Sequence, residues 1–249
     1  MKFALTTTAL ITLLAISAPA QAQEKSFSDA QKKEIEAMMQ DYLMNNPQVI
    51  MDSVEKYRQR SEEESTKVYD EKIQTSGDKL YNDPTSPVVG NAKGDVVLVE
   101  FFDYNCGYCK MAFKDIQTLV NEDKNLKVIM KEIPILSESS HTAARYALAA
   151  EKQGKYWEFH QQLMNNGANG EALLDKAAKN AGLDLEKLKK DADSTEIRTT
   201  LEKNLELARE IGISGTPAFV IADKALRGHY GIEALRKTIA ETRAAQKKD

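Results

Sequence analysis

The chain holds only two cysteines in 249 residues, Cys106 and Cys109, together with one tryptophan and three histidines. No other cysteine exists to complete a closed zinc site, and His141, His160 and His229 are scattered without ligand spacing, so no metal centre is expected. Positive charge is also short, with 34 Lys and Arg against 38 Asp and Glu. That balance leaves no surplus for the clustered basic face that nucleic acid requires, and no nucleic-acid partner is expected. Membrane-spanning apolar runs are missing as well. The apolar stretch at residues 9–16 is too short to cross a bilayer. It follows Lys2 and precedes small residues ending Ala20-Gln21-Ala22, which is the pattern of a cleaved secretory signal over residues 1–22. Its removal takes away Lys2 alone and leaves a net charge of 33 minus 38, or −5.

What is present suffices for a sizeable core, since 42% of the residues are apolar. After the signal, Ser28 offers an N-cap to a helix with Ile35, Met38, Met39, Tyr42 and Leu43 at helical spacing. Asn45-Asn46-Pro47 ends it, and Pro47 opens a second helix carrying Val49, Ile50, Val54 and Tyr57 on one side. Two such helices cannot close a core alone. Residues 58–67 have no apolar face and read as a solvated helix or spacer, so residues 23–80 are expected to form an oligomerisation segment and linker, giving a homo-oligomeric dimer or trimer. The turn-rich stretch 81–87 marks the expected boundary of a catalytic domain at 81–249.

Within that domain, the strand-like runs 96–102 and 126–133 flank a helical pattern carried by Met111, Phe113, Ile116, Leu119 and Val120, which predicts a βαβ unit with a parallel pair. Residues 138–209 read as helices throughout. A strand at 218–221, a turn at Asp223-Lys224, a strand at 225–228 and a closing helix at 232–245 follow. The expected fold is α/β: a thioredoxin-type sheet interrupted by an all-helical insertion and preceded by an N-terminal helical segment.

The stretch V-V-L-V-E-F-F-D-Y-N-C-G-Y-C-K at residues 96–110 concentrates the chemistry. In a secreted chain a close cysteine pair reads as a disulfide, and one closing so short a loop constrains the unfolded chain little, so a reactive role is favoured over a structural one. Cys106 at a helix N-terminus would have its thiolate stabilised by unpaired N–H groups and the helix dipole. Cys109, one turn further in, would be the resolving thiol. Gly107 and Tyr108 supply no cation, which predicts a less stabilised thiolate than a histidine there would give. Glu100, an acid within an apolar strand, is expected to accept the proton of Cys109, with its charge balanced by Lys131 on the neighbouring strand.

The motif F-F-D-Y-N-C-G-Y-C-K, Glu100 and Lys131 on strands, the helical insertion and G-T-P-A-F-V resemble the bacterial DsbA family of periplasmic thiol-disulfide oxidoreductases over about residues 88–245. The resemblance implies that Pro217 is a cis-proline facing the cysteines and that Thr216 presents its backbone to substrate beside Gly107 and Tyr108. It also implies a periplasmic location with no cofactor beyond the Cys106–Cys109 disulfide. Implied partners are unfolded or misoxidised secreted proteins and a membrane redox protein of DsbB or DsbD type. The chain departs from the archetype in Gly-Tyr for Pro-His, Thr216 for valine, and the extra N-terminal segment. The first two choices look like the isomerases DsbC and DsbG, and the third like ScsC and surface-antigen-like members, some of which oligomerise through such a segment. An isomerase or dual isomerase and oxidase is therefore expected, with outer-membrane or surface association left open. The rival readings are a copper(I) protein using Cys106, Cys109 and Met111 as soft ligands, a monomeric dithiol oxidase, and an envelope interaction protein.

Overall fold

The apolar strand β2 (Val96–Phe102) is the spine of the molecule, with six of its seven residues buried. The computed structural model describes residues 27–247, apart from the side chains of residues 62, 63 and 65. The signal expected over residues 1–22 lies outside the described residues. No helix among the described residues is long and apolar enough to cross a membrane.

The chain divides into two compact units, residues 1–59 and 60–249. In the first, Ser28 caps α1 (Asp29–Asn45) through a full capping box with Gln31, and Pro47 starts α2 (Pro47–Thr75). Neither the α1 stripe nor its partner on α2 is covered: Met38, Met39, Tyr42, Ile50, Val54 and Tyr57 are all exposed.

In the second unit, α3 (Gly77–Tyr81), β1 (Val88–Gly90), β2, α4 (Gly107–Glu122) and β3 (Leu126–Glu132) come first. Five helices follow, α5 (Glu138–Glu151), α6 (Tyr156–Asn166), α7 (Glu171–Asn180), α8 (Leu185–Ala192) and α9 (Thr195–Glu210), and then β4 (Ala218–Ile221), β5 (Lys224–Arg227) and α10 (Ile232–Gln246). The sheet runs β1-β3-β2-β4-β5, with β2 and β3 parallel and the other pairs antiparallel. The predicted βαβ, helical insertion and ββα order is therefore present. The hairpin turn falls at Ala222-Asp223 rather than one residue later, with Ala222 at a positive φ of 54°.

Alternation along the strands sorts their residues between two cores. Leu98, Phe102, Val128, Met130 and Phe219 pack with α4, the insertion and α10. Val99, Phe101, Ile129 and Val220 pack on the opposite face against Ile73, Leu80, Leu207 and Ile211. Ile73 is 2% exposed and Leu80 fully buried, and sealing one such side chain is worth about 2 kcal/mol. Residues 60–80, grouped by sequence with the N-terminal segment, thus fall in the second unit and help to build its core.

Candidate active site

Cys106 ends the loop after β2 and is the N-cap of α4, its Sγ accepting the backbone N–H of Cys109 at 3.3 Å. The helix forms here because Cys109, Ala112, Phe113, Ile116 and Leu119 make one buried stripe against the sheet. Met111 falls off that stripe and is exposed, contrary to the helical face assigned to it from spacing. Across from the thiol stands the hairpin leader Gly215-Thr216-Pro217, with a cis Thr216–Pro217 bond, and the Cys106 thiol donates to the Thr216 carbonyl oxygen at 3.3 Å. Both sulfurs are free thiols in this structure.

The two thiols are driven apart in acidity. The Cys106 thiol is held down to about 5, first by a hydrogen bond from the Cys109 thiol, against the upward push of desolvation. The Thr216 side chain and the N–H groups of Cys109 and Tyr108 add to that lowering. No cation is involved; neutral dipoles at a helix N-terminus do the work. Burial, and next its hydrogen bond to Cys106, push the Cys109 thiol far above its ordinary value. Cys106 is therefore the thiolate at neutral pH and Cys109 the thiol.

Glu100 lies on the same sheet face as the cysteines and is 1% exposed, its Oε1 without a hydrogen-bond partner among the described residues. Burial first, and then the negative charge of Cys106, push its carboxyl up to about 8. Lys131 does not balance it. In the parallel register Glu100 pairs with Met130 and Phe101 with Lys131, so the lysine points through the other face, where its Nζ binds Asp83 Oδ2 at 2.8 Å. Although burial opposes it, the hydrogen bonds from Lys131 and Thr85 pull Asp83 down to about 2. Lys131 is a structural ion pair behind the sheet.

Sequence reasoning missed two buried carboxyls on the reactive face. Glu132, also 1% exposed, accepts the hydroxyls of Tyr156 at 2.9 Å and Tyr104 at 3.1 Å. The Tyr104 hydroxyl also lies 2.9 Å from His160 Nδ1. Burial raises the Glu132 carboxyl well above its usual range, more than the two tyrosine hydroxyls lower it. The same burial takes His160 down to about 3, so this ring is a neutral member of the core, stacked between Trp157 and Tyr156. Asp103, the second, is tied by hydrogen bonds to the loop after β3. The sequence signals were present, since a Y-W-x-x-H run at 156–160 places Tyr156 and His160 one turn apart on α6, but their partners come from 24 to 56 residues away. Finally, His229 binds Asp115 on α4 at 2.7 Å, and the N–H of Gly228 binds the Pro217 carbonyl at 2.8 Å. These contacts tie the loop after β5 to both sides of the site.

A redox dithiol at a helix N-terminus facing a Thr-cis-Pro turn, on a sheet interrupted by helices, has known counterparts. The family model described as DSBA-like thioredoxin domain matches residues 97–240. The chain belongs to this DsbA-like family. A second model, described as Copper resistance protein ScsC N-terminal domain, matches residues 31–64. Among solved structures, a thioredoxin-like oxidoreductase from Silicibacter pomeroyi is 42% identical, with a TM-score of 0.65 over 67% of this chain and 97% of that one. A linker-deleted ScsC mutant from Proteus mirabilis is 30% identical, with a TM-score of 0.67 over 90% of this chain and 100% of that one. Disulfide bond formation protein D of Bacillus subtilis is 26% identical over 68% of this chain and 83% of its own length. The chain spans about a quarter of the length of the first curated relatives it matches, such as Na(+)/H(+) antiporter NhaA 1 of Salinispora arenicola, 28% identical over 155 residues.

Proposed function

We propose that this DsbA-like protein is a periplasmic thiol-disulfide interchange enzyme acting on secreted polypeptides, as a disulfide isomerase or a dual isomerase and oxidase. The observation that carries this is the separation of the two thiols, with Cys106 held near 5 at the helix N-terminus and Cys109 buried and pushed far up. In the isomerase direction the Cys106 thiolate attacks a substrate disulfide, one substrate sulfur leaves as thiolate, and a mixed disulfide with Cys106 forms. A second substrate thiolate then attacks that bond, restoring the Cys106 thiolate with no net oxidation. Escape instead through Cys109 requires its proton to leave, after which Cys109 attacks Cys106 and the enzyme departs oxidised with the substrate reduced by two electrons. A reluctant Cys109 lengthens the life of the mixed disulfide and so favours shuffling over escape. Gly107, Tyr108 and the Thr216 backbone line the approach to Cys106, and the Cys106–Cys109 dithiol is the only redox group this reading needs.

The uncovered apolar stripe of α1 and α2, in a segment matching an ScsC N-terminal domain, supports a homo-oligomer, dimer or trimer, that presents several sites together. A membrane partner of DsbB or DsbD type would set the redox state. The copper(I) reading keeps one support, the exposed thioether of Met111, and loses another because Cys109 has no exposed surface. The decisive experiment is refolding of scrambled ribonuclease by the full-length protein and by residues 60–247, beside sedimentation of both. Isomerase activity and oligomerisation should be lost together on truncation while insulin reduction persists. A full-length protein that sediments as a monomer and still isomerises would sink the oligomeric part, and a C106S variant with full activity would sink the rest.

A further inference from the structure

The turn that faces the nucleophile is held by few bonds. The β2–β4 and β4–β5 ladders both start at Ala218, so Gly215-Thr216-Pro217 projects beyond the last rung of the sheet. Pro217 has no N–H to give. Among the described residues and outside the ladders, residues 214–217 make two hydrogen bonds. The Thr216 carbonyl oxygen accepts from the Cys106 thiol at 3.3 Å, and the Pro217 carbonyl oxygen accepts the N–H of Gly228 at 2.8 Å.

The segment that supplies this N–H, residues 228–231, is itself irregular. It joins β5 to α10 between two glycines at positive φ, Gly228 at 112° and Gly231 at 81°, conformations that glycine adopts without steric cost. Among the described residues, its one side-chain hydrogen bond joins His229 to Asp115. Nε2 lies 2.7 Å from Oδ2, with 16% and 19% of the two side chains exposed. A carboxylate only accepts, so Nε2 is the donor. Asp115 belongs to α4, nine residues after the Cys106 cap and so about 13 Å along the helix axis.

These links close a circuit. From Cys106 it runs down α4 to Asp115, across to His229, back through Gly228 to Pro217 and Thr216, and so to the sulfur. Cut between Asp115 and His229, it leaves the turn fastened to a segment with no side-chain anchor of its own. The other ties from the α4 end of the molecule to α10, Arg236 to Glu122 at 2.7 Å and Arg243 to Asp123 at 2.9 Å, lie beyond Asp115, further from the cysteines.

We propose that His229 and Asp115 are positioning residues that hold the Thr216-Pro217 turn at its distance from Cys106, so that a polypeptide disulfide meets the sulfur and the turn together. The proposal rests on the reading of this site as a thiol-exchange centre. Neither side chain hydrogen-bonds a cysteine, and both act through the turn.

The test mixes full-length reduced protein with a disulfide-bonded peptide and, separately, with a small aryl disulfide that has no backbone to pair with the turn. The readout is the ratio of the two second-order rate constants. H229A and D115A should each lower that ratio about tenfold, the scale of one charge-assisted hydrogen bond. The H229A/D115A double variant should be no worse than either, because the second substitution finds the tie already cut. D115N, whose amide oxygen still accepts from Nε2, should stay within about twofold of wild type. R236A removes a tie between α4 and α10 away from the turn and should leave the ratio where it is. Should H229A fail to fold, D115A cuts the same bond from the other side. An unchanged ratio in the alanine variants, additive losses in the double variant, or an equal fall in R236A each overturns the proposal. A wild type that reacts with neither disulfide refutes the thiol-exchange reading itself.

Discussion

Replacing Glu100 with Gln removes one ionisable group from a fully buried position while keeping its shape, so the stability difference between wild type and variant isolates that carboxyl. Folded, the group ionises near 8, against 4.5 for the ordinary carboxyl. The sign follows from proton counting. Below about pH 4.5 the group is protonated folded and unfolded, and it costs nothing. Between 4.5 and 8 the unfolded chain has released a proton that the folded protein keeps, so wild type loses stability as pH rises. Above 8 the loss levels off at about 5 kcal/mol, from about 1.4 kcal/mol for each pH unit of the window. Urea titrations of the reduced proteins should therefore show E100Q gaining on wild type by several kcal/mol between pH 4.5 and 8. The titration of Cys106 is nearly common to both proteins and largely cancels. Because burial is the leading cause and the Cys106 charge the second, most of the gain should survive in the oxidised proteins, which lack that thiolate. A difference that stays flat from pH 4.5 to 8 would refute the desolvated carboxyl. The same variant tests the chemistry, for at pH 7 about one Glu100 in ten is ionised. If it takes the proton of Cys109, resolution of a mixed disulfide should accelerate about tenfold from pH 6 to 7 in wild type and lose that dependence in E100Q.

Three further outcomes follow from the site. Absorbance of the reduced protein at 240 nm should titrate with one thiol near 5, and because that value lies below the ordinary 9, the stability of the reduced form relative to the oxidised one should rise between pH 5 and 9; a midpoint near 9 would remove the helix N-terminus from the argument. E132Q should fold with stability close to wild type, because its amide oxygen still accepts the Tyr156 hydroxyl, whereas E132L should lose about 1–3 kcal/mol in urea by taking that acceptor away while the Tyr104 hydroxyl keeps His160 Nδ1; equal behaviour of the two variants would contradict the Glu132–Tyr156 hydrogen bond. K131M should destabilise by about 1–3 kcal/mol, because Asp83 loses its cation but keeps the Thr85 and Ser86 donors, yet leave the 240 nm midpoint in place, and a moved midpoint would return Lys131 to the redox site.

Where a feature was local in the chain, it could be read from the sequence. The strand before the cysteines, the capping of α1 by Ser28, the helical insertion and the Thr216-Pro217 turn each depend on a short window of residue types. Lys131 was misplaced because face is decided by register. In a parallel pair a single-residue offset sends a side chain through the sheet, and nothing near Lys131 reveals that Met130 is the residue opposite Glu100. Ile73 and Leu80 look like stray apolar residues in a polar helix and become core only when α9 arrives beside them. Met111 illustrates the converse error: it shares an apolar pattern with Phe113 and Ile116, yet the stripe that the sheet selects runs through Cys109, Ala112 and Phe113.

The pair Gly107-Tyr108 carries no cation, which predicts a thiolate less stabilised than a histidine there would make it. The structure supplies the stabilisation from elsewhere, through the Cys109 thiol, the Thr216 side chain and two backbone N–H groups. Such a thiolate is a good leaving group as well as an available nucleophile, and a good leaving group alone would favour rapid release of oxidised substrate. What opposes rapid turnover on the reducing side is Cys109, which cannot attack until its proton finds an acceptor, and the one buried carboxyl without a hydrogen-bond partner on one oxygen nearby, Glu100, is itself mostly protonated at neutral pH. Oxidation of substrate needs no proton from Cys109 at the attacking step, whereas escape from a mixed disulfide by the reduced enzyme does. If the protein is the disulfide-shuffling enzyme proposed above, the balance between oxidase and isomerase work should be carried less by the dipeptide between the cysteines than by the environment of Glu100, and E100Q should shift it toward shuffling by prolonging the mixed disulfide.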